Sequence, residues 1–179
     1  MVAAKPTVDS IRAILGTVID PEMPIDIVNL GLVHDVRVVS GDDGARAEID
    51  LIPTFIGCPA LDMIRDDVRK RVTKAPGVVE VAVRFLNDPP WSIERITPAG
   101  REALREFGVT TPERGGAPRP TPLTIAGNIA APVGVGERPA CPFCGSAKTR
   151  MESAFGPTRC KMIFYCDACK NSFEHLKPI

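Results

Sequence analysis

The sequence predicts an α+β protein: a two-layer domain with the element order α-β-β-α-β-α, followed by a small metal-stabilised ribbon. Three observations support this prediction. Apolar residues in the first part switch between helical spacing and strict alternation, as expected for helices and strands in turn. A proline-rich segment then interrupts the pattern. Five of the six cysteines follow that segment.

Charge and composition divide the chain into parts. Residues 1–113 carry 13 basic and 18 acidic side chains, whereas residues 114–179 carry 9 and 4, so the net charge changes sign. We predict an α+β domain over residues 1–109, a stiff proline- and glycine-rich linker over 110–139, and a ribbon over 140–179. No apolar stretch reaches the length of a membrane span, and no secretory signal is recognised at the N-terminus. We therefore expect a cytoplasmic protein.

The first helix and the turn after it open the domain. Thr7 or Asp9 is the expected cap, and four apolar residues share one helix face: Ile11, Ile14, Leu15 and Val18. Two prolines then end the helix and create a rigid turn that carries Asp20 and Glu22. These carboxylates suit a general acid/base pair or hard metal ligands, but the simpler interpretation is that they cap local backbone.

Alternating residues over 32–39 and 47–51, separated by the turn Gly41–Gly44, predict a β-hairpin with one buried face. His34 falls on the inward-facing side, which favours a structural histidine. A third strand is expected over 79–85. The last helix is expected to begin after Thr97 as N-cap and to end at Gly108.

Cys58 is the chemically distinctive residue of the first domain. Pro59 suits the first position of the second helix, which places Cys58 at the N-cap. A thiolate there meets the positive end of the helix dipole, and such cysteines serve as nucleophiles or metal ligands. Gly57 leaves room for a ligand. An inert, packed cysteine is the alternative.

The second part contains two C-x-x-C knuckles, Cys141/Cys144 and Cys166/Cys169, with 21 residues between them. Four thiolates on two tight turns satisfy tetrahedral zinc, and a segment this short needs the metal in order to fold. A rubredoxin-like iron site would use the same ligands. Basic residues are dispersed rather than clustered here, which argues against nucleic acid as a partner.

Cys160 lies between the knuckles. It is a substitute ligand, a free thiol facing a partner, or a packing residue, and the last two alternatives are favoured. The ribbon strands are expected over 150–153, 161–165 and 172–176.

The chain resembles the iron–sulfur assembly domain family that includes SufT-like proteins and, within it, the PaaD branch of phenylacetyl-CoA epoxidase subunits. The motifs that carry the resemblance are Asp20-Pro21-Glu22, Asn29–Val33, Thr54-x-x-Gly57-Cys58-Pro59, Trp91, Thr97-Pro98-x-Gly100 and the C-terminal CPFCGS…FGPTRCK…CDACKNSFEHLK. The resemblance covers residues from about 8 to the C-terminus.

The resemblance implies an accessory, non-catalytic role in aerobic phenylacetate degradation. It implies that Cys58 is the functional thiol, with Asp20, Glu22 and Thr54 in the surrounding motifs. It implies structural zinc and a transient iron or iron–sulfur cluster as cargo. The implied partners are the diiron oxygenase component and the flavin/iron–sulfur reductase, with a homodimer as a further option and no membrane partner.

Two other classes of protein fit the same residues. A stand-alone thiol-dependent redox enzyme, or a general iron–sulfur carrier, would use Cys58 alone. A zinc-ribbon adaptor would need the ribbon and not Cys58. The sequence contains no phosphate-binding loop, dinucleotide motif or paired Glu-x-x-His helices, so we expect no oxygenation by this chain alone.

Overall fold

A computed structural model describes residues 5–113 and 138–177. The chain divides between Ala103 and Leu104 into two compact units, which are considered separately. The elements are α1 (Val8–Leu15), β1 (Val33–Ser40), β2 (Ala45–Leu51), α2 (Leu61–Val72), β3 (Val78–Phe85), a 3₁₀ turn (Ile93–Arg95), α3 (Pro98–Glu106), β4 (Val109–Thr110), β5 (Thr149–Ser153), β6 (Lys161–Cys166) and β7 (Ser172–Leu176). The predicted α+β class and the order α-β-β-α-β-α are confirmed. Most of the predicted linker lies outside the described residues.

The sheet of the first unit has the strand order β1-β2-β3. β1 and β2 form the predicted antiparallel hairpin, and β3 pairs with β2 in parallel after the α2 crossover. The core is apolar and includes Ile11, Leu15, Ile49, Leu51, Ile64 and Val68. α2 connects the parallel neighbours β2 and β3. The loop that leads from the carboxyl end of β2 into α2 contains Cys58.

The opposite face of this sheet carries a charge network around Asp50. Asp50 lies between Ile49 and Leu51 and therefore points to the other side of the sheet. Its carboxylate accepts hydrogen bonds from Arg84 at 2.8 Å and from Arg37 at 2.7 Å. The hydrogen bond from Arg84, aided by Arg37, lowers the pKa of Asp50 below its ordinary value.

The expectation that His34 points into the core is wrong. The β1–β2 register shifts between Val33 and Asp35, so His34 is the additional residue of a bulge and its side chain is exposed. A bulge breaks the alternation on which the expectation relied.

Both helix starts that rested on a threonine cap are confirmed. Thr7 accepts the backbone N–H of Ser10, and the Ser10 hydroxyl in turn accepts the backbone N–H of Thr7. The hydroxyl of Thr97 accepts the N–H of Gly100 at 3.0 Å. Thr97 also donates to the side-chain oxygen of Asn29, which connects the start of α3 to the turn before β1.

The second unit contains the predicted ribbon, with the sheet order β4-β7-β6-β5. β5, β6 and β7 are antiparallel neighbours, and Phe164 of β6 stacks on Phe173 of β7 with ring centroids 5.8 Å apart. The sequence did not predict β4, which pairs in parallel with Glu174 and His175. The ribbon sheet therefore includes two residues, Val109 and Thr110, at the position where the linker was predicted to begin.

Candidate functional sites

Cys58 lies in a tight turn between β2 and α2. The turn covers Phe55–Cys58 and is closed by the Cys58 N–H, which donates to the Phe55 carbonyl at 3.1 Å. The thiol is half-buried, while Ile56 at the corner of the turn is 68% exposed. The Phe55 ring lies against Gly57, where an added Cβ would come within 2.9 Å of it. Glycine thus allows the ring to pack over the turn beside the thiol.

The predicted N-cap position of Cys58 is wrong by two residues. α2 begins at Leu61, and its N-cap is Ala60, which has helical backbone angles and makes no side-chain capping bond. Pro59 belongs to a turn before the helix, and the Leu61 N–H contacts the Cys58 carbonyl at 3.4 Å. Cys58 therefore does not occupy a capping position, and its sulfur instead lies close to another side chain.

That side chain is Glu22. The Cys58 sulfur lies 4.0 Å from Oε2 of Glu22, although the two residues are 36 positions apart. At this distance a thiol donates at most a weak hydrogen bond to a carboxylate. No local pattern in the sequence signals this pairing, because it depends on how two separate loops pack.

Asp20 has a different role from Glu22. It is buried, and its Oδ1 accepts the backbone N–H groups of Glu22 at 2.8 Å and Met23 at 2.9 Å. A bridge between Ile19 and Asp26 closes the loop behind it. The simpler interpretation of the sequence, local capping, thus describes Asp20, whereas the Glu22 carboxylate faces the thiol.

Thr54 is the remaining residue of the motif. It is buried in the loop that follows β2, three residues after Leu51 and immediately before the Phe55–Cys58 turn. Thr54, Cys58 and Glu22 therefore belong to one corner of the first unit, at the carboxyl end of β2.

The four knuckle cysteines meet in the second unit. All four sulfurs lie within 4.8 Å of one another, with Cys141–Cys169 and Cys144–Cys166 each separated by 3.6 Å. Four sulfurs at about 2.3 Å from one tetrahedral ion would be about 3.8 Å apart. The donor set and spacing fit a single bound metal ion.

Both knuckles use the same backbone turn. Gly145 and Lys170 follow the second cysteine of each knuckle and have φ values of 70° and 64°. Their N–H groups donate to the carbonyls of Cys141 and Cys166, at 2.8 and 2.9 Å. Glycine adopts this left-handed conformation at no steric cost, whereas Lys170 accepts some strain to close the second knuckle.

The surroundings of the knuckle cysteines shift the pKa values of their thiols in different directions. A hydrogen bond from the Asn171 backbone lowers the pKa of Cys169 to about 6. Burial raises the pKa of Cys141. A bound cation supplies the positive charge that stabilises all four thiolates together.

Cys160 lies apart from this cluster. It is buried, and its sulfur is 3.2 Å from the Thr158 hydroxyl. Among the residues that the structure describes, the knuckle cysteines form the only group of three or more candidate metal ligands. No helix within residues 5–113 and 138–177 is long and apolar enough to span a membrane.

Comparisons with known proteins match both units. The model of the PaaD zinc β-ribbon domain matches residues 129–177, and the model of an iron–sulfur cluster assembly protein matches residues 9–83. An Escherichia coli K12 protein, whose name describes a candidate 1,2-phenylacetyl-CoA epoxidase subunit, is 33% identical over 98% of this chain and 96% of its own length.

Shorter relatives resemble the first unit. The Bacillus subtilis Fe-S protein maturation auxiliary factor YitW is 35% identical over 54% of this chain and 91% of its own length. The Staphylococcus aureus Fe-S protein maturation auxiliary factor SufT is 38% identical over 49% of this chain and 96% of its own length.

Proposed function

Because the chain belongs to the PaaD family, we propose that it is an accessory subunit of a phenylacetyl-CoA epoxidase that helps to load iron or an iron–sulfur centre onto its partners. The partners are the diiron oxygenase component and the flavin/iron–sulfur reductase. The observation that carries the proposal is the juxtaposition of Cys58 and Glu22, a thiol and a carboxylate from two separate loops, at a partly exposed corner of the first unit. The names of the shorter relatives, which are maturation factors, support the same role.

The chemistry of the Cys58 turn suits transfer better than storage. A metal ion held by few protein donors exchanges readily, because the remaining coordination positions are open to the ligands of a recipient. None of the six cysteines forms a disulfide, as expected for a metal carrier in the reducing cytoplasm.

In this proposal the ribbon has a structural role and holds zinc. Four thiolates satisfy the tetrahedral preference of a divalent zinc ion. The ion would fix the two knuckles and thereby the strands β5–β7, which have a small apolar core of their own. Metal analysis of the purified protein distinguishes zinc from iron in this site.

The test is to express the epoxidase subunits in a host that lacks this chain and to supply wild-type protein, Cys58→Ala or Cys160→Ala. Both variants remove one thiol outside the knuckle cluster, so Cys160→Ala is the matched control. We expect Cys58→Ala to lower the iron content of a partner and the activity of the complex, while the control sustains both. Equal iron loading by Cys58→Ala and wild type would refute the proposal.

A variant that disrupts the ribbon distinguishes the proposed function from the two alternative classes of protein, a zinc-ribbon adaptor and a stand-alone thiol enzyme. If the chain is only a zinc-ribbon adaptor, Cys141→Ser abolishes partner activity whereas Cys58→Ala does not. If it is a stand-alone thiol enzyme, the purified single chain turns over substrate without the partner subunits.

A further inference from the structure

The outer edge of β3 has no neighbouring strand among the residues that the structure describes. β3 is an edge strand of the sheet β1-β2-β3 and runs for eight residues, Val78–Phe85. The β2–β3 register shifts once, where Val79 is the additional residue, and is regular from Glu80 to Phe85. A regular edge of this kind presents a row of backbone donors and acceptors to which another strand can bind.

The backbone of β3 turns alternate residues towards β2 and away from it. The Leu86 N–H donates to the Leu51 carbonyl at 2.7 Å, and the bonding residues of each strand alternate in a parallel pair. Ala82 therefore bonds to β2, whereas Val81 and Val83 direct their N–H and C=O groups outwards. In the described part of the chain, these outward groups have no hydrogen-bond partner.

The opposite edge of the sheet is partly blocked. Arg95 donates to the carbonyls of Gly31 at 2.7 Å and Val33 at 3.0 Å, at the start of β1. The bulge at His34 then interrupts the strand. Covering groups and bulges prevent the addition of a further strand. Since the described residues place neither along the segment Glu80–Phe85, β3 is the edge that remains available for pairing.

The side chains of β3 are complementary to a second copy of the same strand. In an antiparallel pair centred on Ala82, Glu80 of each copy lies opposite Arg84 of the other. These two side chains are 59% and 56% exposed. Opposite charges directly across an antiparallel pair stabilise it. A centre one residue earlier or later pairs each charged residue with an uncharged one, so the charges favour this register.

Both charged side chains also have contacts within their own chain that are compatible with this pairing. Arg84 uses Nε and Nη2 to bind Asp50, and a guanidinium carries further N–H donors on Nη1. Glu80 lies 3.6 Å from Arg46, a long contact between two exposed side chains. An exposed pair of this kind contributes little to stability, so Glu80 can turn towards a second copy at small cost.

The same register satisfies the backbone of both copies. Val81 of one copy faces Val83 of the other, and both residues direct their N–H and C=O groups outwards. Each of the two symmetric pairs can therefore exchange two hydrogen bonds. Ala82 lies opposite itself in a non-hydrogen-bonded pair, where the Cα atoms are about 4.5 Å apart, and its methyl group is small enough for this approach.

We propose that two copies of this chain associate through β3, antiparallel about Ala82, and join their three-stranded sheets into one continuous sheet. This interaction surface goes beyond the proposed function and does not depend on Cys58.

The first experiment measures the mass of the zinc-loaded full chain by sedimentation equilibrium over a dilution series. We expect a reversible dimer for the wild type. Val81→Pro removes an outward N–H without removing a bond to β2, which is where an edge strand tolerates proline. We expect this variant to be monomeric at concentrations where the wild type is dimeric.

Val38→Pro is the matched control for this variant. Val38 is half-buried, as Val81 is, and lies on β1 at the other edge of the sheet. The Gly41 N–H donates to Gly44 across the hairpin, so by alternation the Val38 N–H also points away from β2. We expect Val38→Pro to dimerise like the wild type.

A charge variant tests the pairing without altering the backbone. Glu80→Arg replaces both opposite-charge pairs with like charges, and we expect the dimer dissociation constant to rise by more than about tenfold. Glu106→Arg makes the same change at an exposed glutamate of α3 and should leave the dissociation constant unchanged. Circular dichroism verifies that each variant is folded.

Cysteine cross-linking reads the register. Under a mild oxidant that accepts the two thiol electrons, we expect Ala82→Cys chains to form a disulfide-linked dimer, because this residue lies opposite itself. Glu80→Cys should not cross-link, because it lies opposite Arg84. The unsubstituted chain, treated in the same way, gives the background from its own cysteines.

Three results overturn the inference. One is a wild-type chain that stays monomeric up to its highest soluble concentration, which leaves the β3 edge without a second copy. Another is a dimer whose dissociation constant is the same in Val81→Pro and Glu80→Arg as in the wild type. The third is cross-linking through Glu80→Cys in preference to Ala82→Cys. None of these results bears on iron loading by Cys58, so the proposed function is tested separately.

Discussion

Oδ1 of Asp20 accepts the backbone N–H of Glu22 at 2.8 Å, so one acidic residue of the turn fixes the position of the other. The same oxygen accepts the N–H of Met23. Asp20 is buried. Removing its carboxylate therefore takes the acceptor away from two backbone N–H groups at a position where water cannot easily replace it. We expect Asp20→Ala to lower the free energy of unfolding of the first unit by about 1–3 kcal/mol.

The fluorescence of Trp91 can be used to measure this loss of stability. Trp91 is the single tryptophan of the chain, it is buried, and its indole N–H donates to the Leu30 carbonyl at 3.1 Å. Urea unfolding followed by Trp91 fluorescence therefore reports on the first unit. Asp20→Asn keeps an acceptor oxygen and should lose less stability than Asp20→Ala. An unchanged urea midpoint in Asp20→Ala would show that the two hydrogen bonds contribute nothing.

The ribbon should depend on its metal, and the first unit should not. Structural zinc contributes an apparent binding free energy of about 10–16 kcal/mol in small zinc-binding modules. We expect a strong chelator to expose the amides of β5, β6 and β7 to hydrogen exchange, while β1, β2 and β3 keep their protection. Mass spectrometry of the exchanged peptides measures both units in one sample.

Two substitutions serve as reference points for this experiment. Cys169→Ser removes a ligand and should reproduce the effect of the chelator without any chelator present. Cys160→Ser lies outside the four-sulfur cluster and should retain one metal ion per chain. Full protection of β6 after metal removal would mean that the apolar contacts of Phe164 and its neighbours suffice to fold the ribbon.

The features of the fold that the sequence predicted correctly are those with a local signature. The capping threonines Thr7 and Thr97 are local, since each needs only a hydroxyl beside the first turn of a helix. The strands of the ribbon alternate over five or six residues and were located within one residue. Hydrophobic periodicity likewise located the strands of the first unit.

The features that the sequence did not reveal depend on long-range packing. β4 consists of two residues, too few for any period, and exists because β7 offers it an edge. The start of α2 was misplaced because Pro59 fits a helix start equally well as a turn, and the hydrogen bond from Cys58 to Phe55 selects the turn. The approach of Glu22 to Cys58 is of the same kind, since it requires two loops to meet.

Gly31 should be irreplaceable at the turn before β1. Its φ is 77°, and an added Cβ would lie 2.5 Å from the carbonyl oxygen of Arg95. The left-handed conformation alone costs alanine about 1–2 kcal/mol, and the contact with backbone adds to that cost. We expect Gly31→Ala to lower the urea midpoint of the Trp91 signal markedly.

Gly16 offers the matched control for this substitution. It ends α1 with φ near −66°, and an added Cβ would meet its nearest neighbour, the Ala13 carbonyl, at an ordinary 3.4 Å. Gly16→Ala should therefore be nearly neutral. Equal losses in the two variants would indicate that the strain at Gly31 is relieved by local movement.

His175 should make the stability of the ribbon depend on pH. It is buried against Phe164, with its Nδ1 2.8 Å from the Thr110 hydroxyl. Burial lowers its pKa from 6.5 to about 4. Between these pH values His175 is therefore protonated in the unfolded chain but neutral in the folded ribbon. Stability is therefore complete above pH 6.5, decreases as the pH falls towards 4, and changes no further from this source below that value. At pH 5 the loss relative to pH 7 should be about 2 kcal/mol.

The variant His175→Asn isolates this effect, because it keeps a polar group facing Thr110 and removes the titration. Acid also protonates the knuckle thiols and weakens metal binding, but this contribution is common to the two proteins and cancels in their difference. Urea unfolding of the metal-loaded proteins at pH 7 and pH 5, followed by the amide signals of β6 and β7, gives that difference. The wild type should lose more stability than His175→Asn between the two pH values. Parallel losses would mean that His175 is protonated within the folded ribbon and that the β4–β7 edge opens to admit water.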